Sequence, residues 1–294
     1  MLVDTEGARS LAFRLQQNIR QVIVGKDQAI ELMLIALICR GHILLEDVPG
    51  VGKTTLAGAL ARSVSCSFSR IQFTPDVTPS DVTGYTIMNM TTGQMEFKPG
   101  AVMSQIVLAD EINRTSPKTQ SSLLEAMEER QVTVDGVTHA LPQPFMVMAT
   151  QNPVEFAGTY PLPEAQLDRF LLCVTLGYPT VTEEVDILER YTSSGQAPLS
   201  QLQPVCSAQD ILRLQGLLPQ VYSSPELRQY IAEIAAATRQ HRAAEGVPGL
   251  CPAERPGLRA AGRRAPDDPP GALPPHPADT RGAHEGGQPR KPAG

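Results

Sequence analysis

The stretch "HILLEDVPGVGKTTLAGALARSV" (42–64) constrains this chain more than any other, because an apolar run breaks into a glycine-rich turn that opens into a helical pattern. "HILLE" (42–46) is short and apolar enough for a buried strand, and "TTLAGALARSV" has helical spacing. Between them Gly52, Lys53 and Thr54 match G-x-x-x-x-G-K-[ST], except that Asp47 stands at the first glycine. Such a turn aims successive backbone N–H groups and the positive end of a helix dipole at one point, which suits a phosphate. The expected phosphate-binding residues are Pro49, Gly50, Val51, Gly52, Lys53, Thr54 and Thr55. Lys53 is spaced to reach β- and γ-oxygens, and Thr54 to ligate Mg²⁺. Asp47 lies upstream of these donors and only has to turn the chain out of the strand. Aspartate tolerates the positive φ often needed there, with its carboxylate pointing away from the phosphates.

The rest of residues 1–242 alternates in the same way. Helical patterns cover about 5–20 and 26–39; "SRIQF", "QIVLADE" (105–111), "FMVMATQ" and "FLLCVTL" read as strands. "PKTQSSLLEAMEERQ" starts a helix with Pro117 behind Ser116, and Asp-Gly inside "QVTVDGVTHAL" signals a tight hairpin. Apolar strands separated by helices predict an α/β fold, a parallel sheet sandwiched by helices. From about 182 onward only helices are expected: 182–193, about 207–220 and 225–241.

Two further strand ends carry polar groups, and ligands of open α/β sheets bind at carboxyl ends. "IVLADE" ends in Asp110, placed to hold Mg²⁺ with Thr54, and Glu111, placed to polarise an attacking water. "FMVMATQNP" ends near Asn152, whose amide can bridge a γ-phosphate and that water, although Asn-Pro also commonly begins a turn. Arg169, before the last strand, is a candidate to stabilise transition-state charge on a neighbouring subunit, against the plainer reading of a pairing with Asp168 or Glu164. Arg114 is a weaker candidate for the same interface. The histidines and cysteines form no metal-ligand spacing, and neither G-x-S-x-G nor H-E-x-x-H occurs.

The net charge of −6 gives no basic surface for nucleic acid, and the longest apolar run, "LMLIALIC", is too short to span a bilayer. Asp4, Glu6, Arg9 and Arg14 argue against a signal peptide, so a reduced, cytoplasmic setting is expected. The composition changes near residue 243. Residues 243–294 hold 11 of the 26 prolines and 9 of the 23 glycines, with Val247, Leu250, Leu258 and Leu273 as the larger aliphatics. Such a segment cannot offset its ordering entropy and is expected to be disordered. Ala, Arg, Gly and Pro make up 36 of its 52 residues, the types with GC-rich codons, a bias that a natural tail could have but that a frameshift explains better. Residues 1–180 then read as a core and 181–242 as an incomplete helical lid.

"VIVGKDQAI" (22–30), "LLEDVPGVGKTT", "TPDVTPSDVTGY", "VLADEINRTSPKTQSSLLEAMEERQVTVDG", "ATQNP" and "PLPEAQLDRF" occur in order, and together they resemble the MoxR family of AAA+ ATPases over residues about 5–242. The resemblance implies ATP and Mg²⁺ as ligands, a ring, expected to be hexameric, and chaperone-like maturation of other complexes. It also implies a partner bearing a von Willebrand factor A domain, and hairpins at about 84–98 and 131–141 that touch substrate. Asp at position 47 is ordinary in that family. Two alternatives stand beside it: a nucleic-acid motor of the helicase-like AAA+ branch, disfavoured because the two hairpin stretches hold one lysine, and a hydrolysis-impaired nucleotide-binding module.

Overall fold

The computed structural model describes residues 5–48, 50–152, 158–194 and 198–245; Pro49 and the tail from 246 lie outside them. Two helices, α1 (Thr5–Arg20) and α2 (Asp27–Ile38), lead into β1 (Ile43–Glu46), and α3 (Lys53–Ser63) follows the glycine turn. Next come β2 (Phe68–Gln72), α4 (Pro79–Thr83) and a hairpin of β3 (Gly84–Met88) and β4 (Met95–Pro99). After β5 (Ile106–Asp110) and α5 (Pro117–Glu129), a second hairpin pairs β6 (Gln131–Val134) with β7 (Val137–Ala140). Then follow β8 (Met146–Gln151), α6 (Glu164–Leu167) and β9 (Leu172–Val174). Beyond these the described chain is helical: α7 (Val181–Ser194), α8 (Pro198–Gln201), α9 (Ala208–Leu217) and α10 (Pro225–Glu245).

Strands β2-β5-β8-β1-β9 form one parallel sheet in that order. The period-two alternation of each strand divides its side chains between two apolar layers. Ile43, Leu45, Ile106, Leu108, Met146 and Met148 pack with α1, α2, α3 and α9. Leu44, Val107, Ala109, Val147 and Ala149 pack with α5 and the Phe73 and Val82 region. The expected α/β sandwich is therefore the observed one.

Several local signals act as their chemistry dictates. Ser116 caps α5 by accepting the Thr119 N–H at 3.3 Å, with Pro117 in the first turn. Asp135 and Gly136 both take positive φ in the β6–β7 turn, as a two-residue hairpin requires. The sequence reading names no helix at α4, yet "TPSD" closes a capping box, with the Thr78 N–H donating to Asp81 Oδ2 at 2.8 Å.

The helical segment docks on the sheet layer through buried amides as well as apolar contacts. Asn18 of α1 donates to Ser63 Oγ and to Gln203 O, each at 2.9 Å, and Gln215 of α9 donates to Leu37 O at 2.7 Å. Arg190 of α7 donates to the carbonyls of Arg20, the last residue of α1, and of Gln21 just after it, at 2.9 and 2.8 Å. On α10, by contrast, Leu227, Tyr230, Ile231 and Ile234 form an exposed stripe with helical spacing.

His42 organises the amino end of the sheet. Its Nδ1 accepts the Val147 N–H at 2.9 Å, so Nε2 carries the hydrogen and donates to Met127 O at 3.3 Å. Its own carbonyl accepts the Leu171 N–H at 2.8 Å, tying β8, α5 and β9 to the start of β1. Both ring nitrogens are committed to the neutral form. Burial, aided by the Arg130 charge and opposed by the Met127 hydrogen bond, lowers its pKa from 6.5 to about 4. The unfolded chain therefore binds a proton that the folded chain refuses between these values. Stability is complete above about pH 6.5 and falls by about 3 kcal/mol as the pH drops to about 4. Urea unfolding from pH 7 to 4 is expected to show that loss in the wild type and a flatter profile in His42→Gln. Parallel profiles for the two proteins would contradict the assignment.

Candidate functional site

Three neighbouring strands end side by side: β1 at Glu46, β8 at Gln151 and β5 at Asp110. Glu46 lies opposite Gln151, and Ala109 opposite Ala149. The Gln151 amide donates to the Glu46 carboxylate, and the Asp47 N–H donates to Gln151 O at 3.3 Å. Asp110, Glu111 and Asn152, which the sequence singled out, stand at these strand ends, and Lys53 opens the helix after the turn that leaves β1.

Gly50 and Gly52 take φ values of 90° and 91°, and a Cβ on either would meet nothing within 4 Å. Backbone conformation, not space, demands glycine at both positions. Gly52 stands just before α3, whose first hydrogen bond runs from Leu56 N to Gly52 O at 2.9 Å. The N–H groups of Lys53, Thr54 and Thr55 therefore occupy the helix start, where intrahelical acceptors run out. Lys53 Nζ donates to Asp47 O at 2.8 Å and to Val48 O at 3.2 Å. Val51 and Thr55 lie within the same turn and first helical turn; Pro49 falls outside the described residues.

Asp47 departs from expectation in one respect. It is not among the described residues with positive φ, so its side chain rather than its backbone accounts for its presence. The carboxylate turns away from the glycine turn and accepts the N–H groups of Leu176 and Gly177, the latter at 3.1 Å.

Each carboxylate of the acidic pair is held. Asp110 Oδ1 accepts the Thr150 hydroxyl at 2.6 Å, and Oδ2 accepts Arg70 Nη2 at 2.6 Å. Glu111 takes φ 57° and ψ 50°, a left-handed conformation that costs a residue bearing a Cβ about 1–2 kcal/mol. Its N–H donates to Thr150 Oγ1 at 2.9 Å, which offsets that cost and turns the side chain out of the strand direction. Its Oε2 accepts the Gln72 amide at 2.7 Å and pairs with Arg114 Nε at 3.2 Å. Below this turn the buried Gln120 amide donates to Ile112 O at 3.1 Å and Tyr160 O at 2.9 Å.

Thr150, Gln72 and Arg70 are thus site residues that the sequence reading missed. A lone threonine in the buried run "FMVMATQ" was a usable signal for Thr150. Gln72 and Arg70 had none, because only strand pairing sets Gln72 opposite Asp110. Arg114, read as a weaker interface candidate, pairs with Glu111 of its own chain.

Asn152 is buried just beyond Gln151, beside the start of the glycine turn. Arg169 lies elsewhere, before β9 at the amino edge of the sheet. It pairs with Glu128 at 2.6 Å and donates to Ala165 O at 3.1 Å. Beside the plainer reading of a pairing with Asp168 or Glu164, the structure gives Arg169 a partner across on α5.

The oxygen-only donors at the crevice, the Asp110 carboxylate and the Thr54 hydroxyl, suit a hard cation. Among the described residues no cluster of three or more His, Cys, Asp or Glu builds a dedicated metal cage. That set fits Mg²⁺, which keeps waters and takes few protein ligands beside phosphate oxygens. Among the described residues no helix is long and apolar enough to cross a membrane.

Residues 42–172 match the family described as "ATPase family associated with various cellular activities (AAA)". The chain is 54% identical over 236 residues to the uncharacterized protein YeaC of Bacillus subtilis, covering 80% of this chain and 73% of that protein. It is 46% identical over 223 residues to Chaperone MoxR1 of Mycobacterium tuberculosis, covering 76% of this chain but 58% of that protein. A crystal structure of a candidate ATPase from Cytophaga hutchinsonii superposes with a TM-score of 0.71 at 40% identity, over 81% of this chain and 73% of the other. The glycine turn, the acidic pair and the parallel sheet sit where these similarities lie, and the chain belongs to the MoxR family of AAA+ ATPases.

Proposed function

We propose that the protein binds ATP and hydrolyses it with Mg²⁺, using the energy to remodel or mature other protein complexes. What supports this reading is that adjacent strands β1, β8 and β5 end along one edge, with Asn152 just past β8, Asp110 and Glu111 at the end of β5, and Lys53 bonded to the turn that follows β1. In this reading residues 1–180 are the ATPase core and 181–242 the lid, with α10 continuing to Glu245.

The roles divide by chemistry. Backbone N–H groups from Gly50 to Thr55 cradle the phosphates, and the Lys53 ammonium neutralises β- and γ-oxygens. Thr54 and Asp110 would hold Mg²⁺, which supplies charge neutralisation at the phosphate oxygens. Glu111 orients and polarises water for in-line attack, and its fixed left-handed backbone removes the need to reorganise at the moment of reaction. Gln72 and Arg114 occupy Glu111 Oε2, so they set which way its second oxygen faces. Asn152 adds a neutral donor and acceptor beside the γ-phosphate position.

Arg169 precedes β9 while Lys53 follows β1, and β9 and β1 run parallel, which favours a role for Arg169 at a neighbouring subunit's site. Its pair with Glu128 is partly exposed, with side chains 33% and 57% accessible, and such pairs contribute under about 1 kcal/mol. That weak hold leaves it available to a neighbouring subunit's nucleotide. A homo-oligomeric, hexameric ring in the cytoplasm, with a von Willebrand factor A domain partner, completes the proposal. The MoxR1 relative carries the word chaperone in its name, which supports the remodelling role.

Lys53→Ala is expected to abolish ATP binding in a titration, while Glu111→Gln binds ATP and loses about 100-fold or more in turnover. Equal ATP affinity in Lys53→Ala and wild type would remove the nucleotide assignment. Mixing Arg169→Ala with Lys53→Ala subunits should restore part of the hydrolysis that each lacks alone. In such mixed assemblies one subunit supplies an intact crevice and its neighbour an intact arginine. Absence of recovery, with co-assembly verified by light scattering, would place Arg169 outside the reaction.

A further inference from the structure

We propose that Asp47 is a positioning residue that ties the phosphate-binding turn to the linker leading into α7, so that phosphate occupancy is conveyed to the helical segment. The sequence presents Asp47 as a gap in a glycine pattern, but every polar group of the residue has a task. Its N–H donates to Gln151 O at 3.3 Å on β8. Its carbonyl accepts Lys53 Nζ at 2.8 Å. Its two carboxylate oxygens accept the N–H groups of Leu176 and Gly177. Asp47 is 5% exposed and Leu176 7% exposed, so the Leu176 N–H has little water to turn to if the carboxylate is lost, while Gly177 is half-buried.

The linker is short and held at both ends. Tyr178 O accepts Lys26 Nζ at 3.0 Å, and Glu183 Oε2 accepts the Thr180 N–H at 2.7 Å where α7 begins. The Lys26 contact is exposed and single. The Asp47 contact is buried, two-pronged and charge-assisted, hence the stronger of the two. A shift of Asp47 therefore reaches α7 through about four residues of backbone.

The same residue is where phosphate acts. The ammonium that engages phosphate oxygens is the one resting on Asp47 O and Val48 O, so a phosphate group competes with the Asp47 carbonyl for Lys53. Drawing the lysine away changes the hydrogen bonding of Asp47's backbone while its carboxylate still grips the linker. This inference rests on the nucleotide reading above for the identity of the phosphate ligand, but the anchor itself does not.

The test is amide hydrogen exchange at single-residue resolution on the whole chain, comparing wild type with Asp47→Asn and Asp47→Gly. Without nucleotide, the Leu176 and Gly177 amides are expected to exchange about tenfold or more faster in Asp47→Gly, with α3 amides unchanged. Asp47→Asn, nearly isosteric and keeping one acceptor oxygen, should fall between. It serves as the readout if the glycine variant does not fold. With ATP added, wild type should show a change in α7 exchange that Asp47→Gly loses while still binding ATP. Wild-type protection of both linker amides in the variants overturns the anchor, and a retained α7 response overturns the coupling. Failure of the wild type to bind ATP would overturn the nucleotide reading, while the nucleotide-free exchange still decides the anchor.

Discussion

A strand covered by apolar side chains on both faces can offer polar groups only where it ends. Strands β1, β5 and β8 obey this constraint closely, since Ile43, Leu44, Leu45, Ile106, Val107, Leu108, Met146, Val147 and Met148 are all fully buried. Polar residues then appear together: Glu46 and Asp47, Asp110 and Glu111, Gln151 and Asn152. Parallel strands share one carboxyl edge and lie about 4.8 Å apart, so three separate strand ends become one crevice. The location of the candidate site follows from how the core is covered.

Within that crevice the charged groups are fixed largely by neutral ones. Thr150 uses one hydroxyl to donate to Asp110 and to accept from Glu111, joining the two acidic residues to β8. Gln72 restrains Glu111 from the opposite side, and Gln120 supports the turn beneath it. Hydroxyls and amides hold a carboxylate without cancelling its charge, which leaves it able to act on a cation or a water. Arg70 and Arg114 are the exceptions, and they set the balance of charge at the mouth.

The amino edge of the sheet has a different character. His42 is a buried, fully committed junction whose loss of neutrality is felt by three elements at once. Arg169 and Glu128, a short distance along the same edge, form a partly exposed pair that is easily exchanged. One edge of the molecule thus holds a rigid structural joint beside a replaceable ionic contact. The exposed apolar stripe on α10 belongs to neither and, among the described residues, lies on the helix farthest from the sheet in sequence.

Much of this was legible in the residues alone. Continuous apolar runs announced the strands, Ser116-Pro117 the start of α5, and Asp135-Gly136 the hairpin, because each depends on local chemistry and short spacing. The glycine turn with Lys53 behind it, and the positions of Asp110, Glu111 and Asn152 at strand ends, were legible for the same reason. What could not be read was everything set by pairing between distant segments. Only the order β2-β5-β8-β1-β9 puts Gln72 and Arg70 against the acidic pair, carries Arg169 to the edge away from the glycine turn, and sends its guanidinium to Glu128. Asp47 shows the division most clearly. Its spacing marked it as an exception to a pattern, whereas its partners, Leu176 and Gly177, lie some 130 positions later and are brought to it by β9 pairing beside β1. Sequence determines what a residue can bond locally; which distant N–H groups need its carboxylate is decided only when the sheet closes around it.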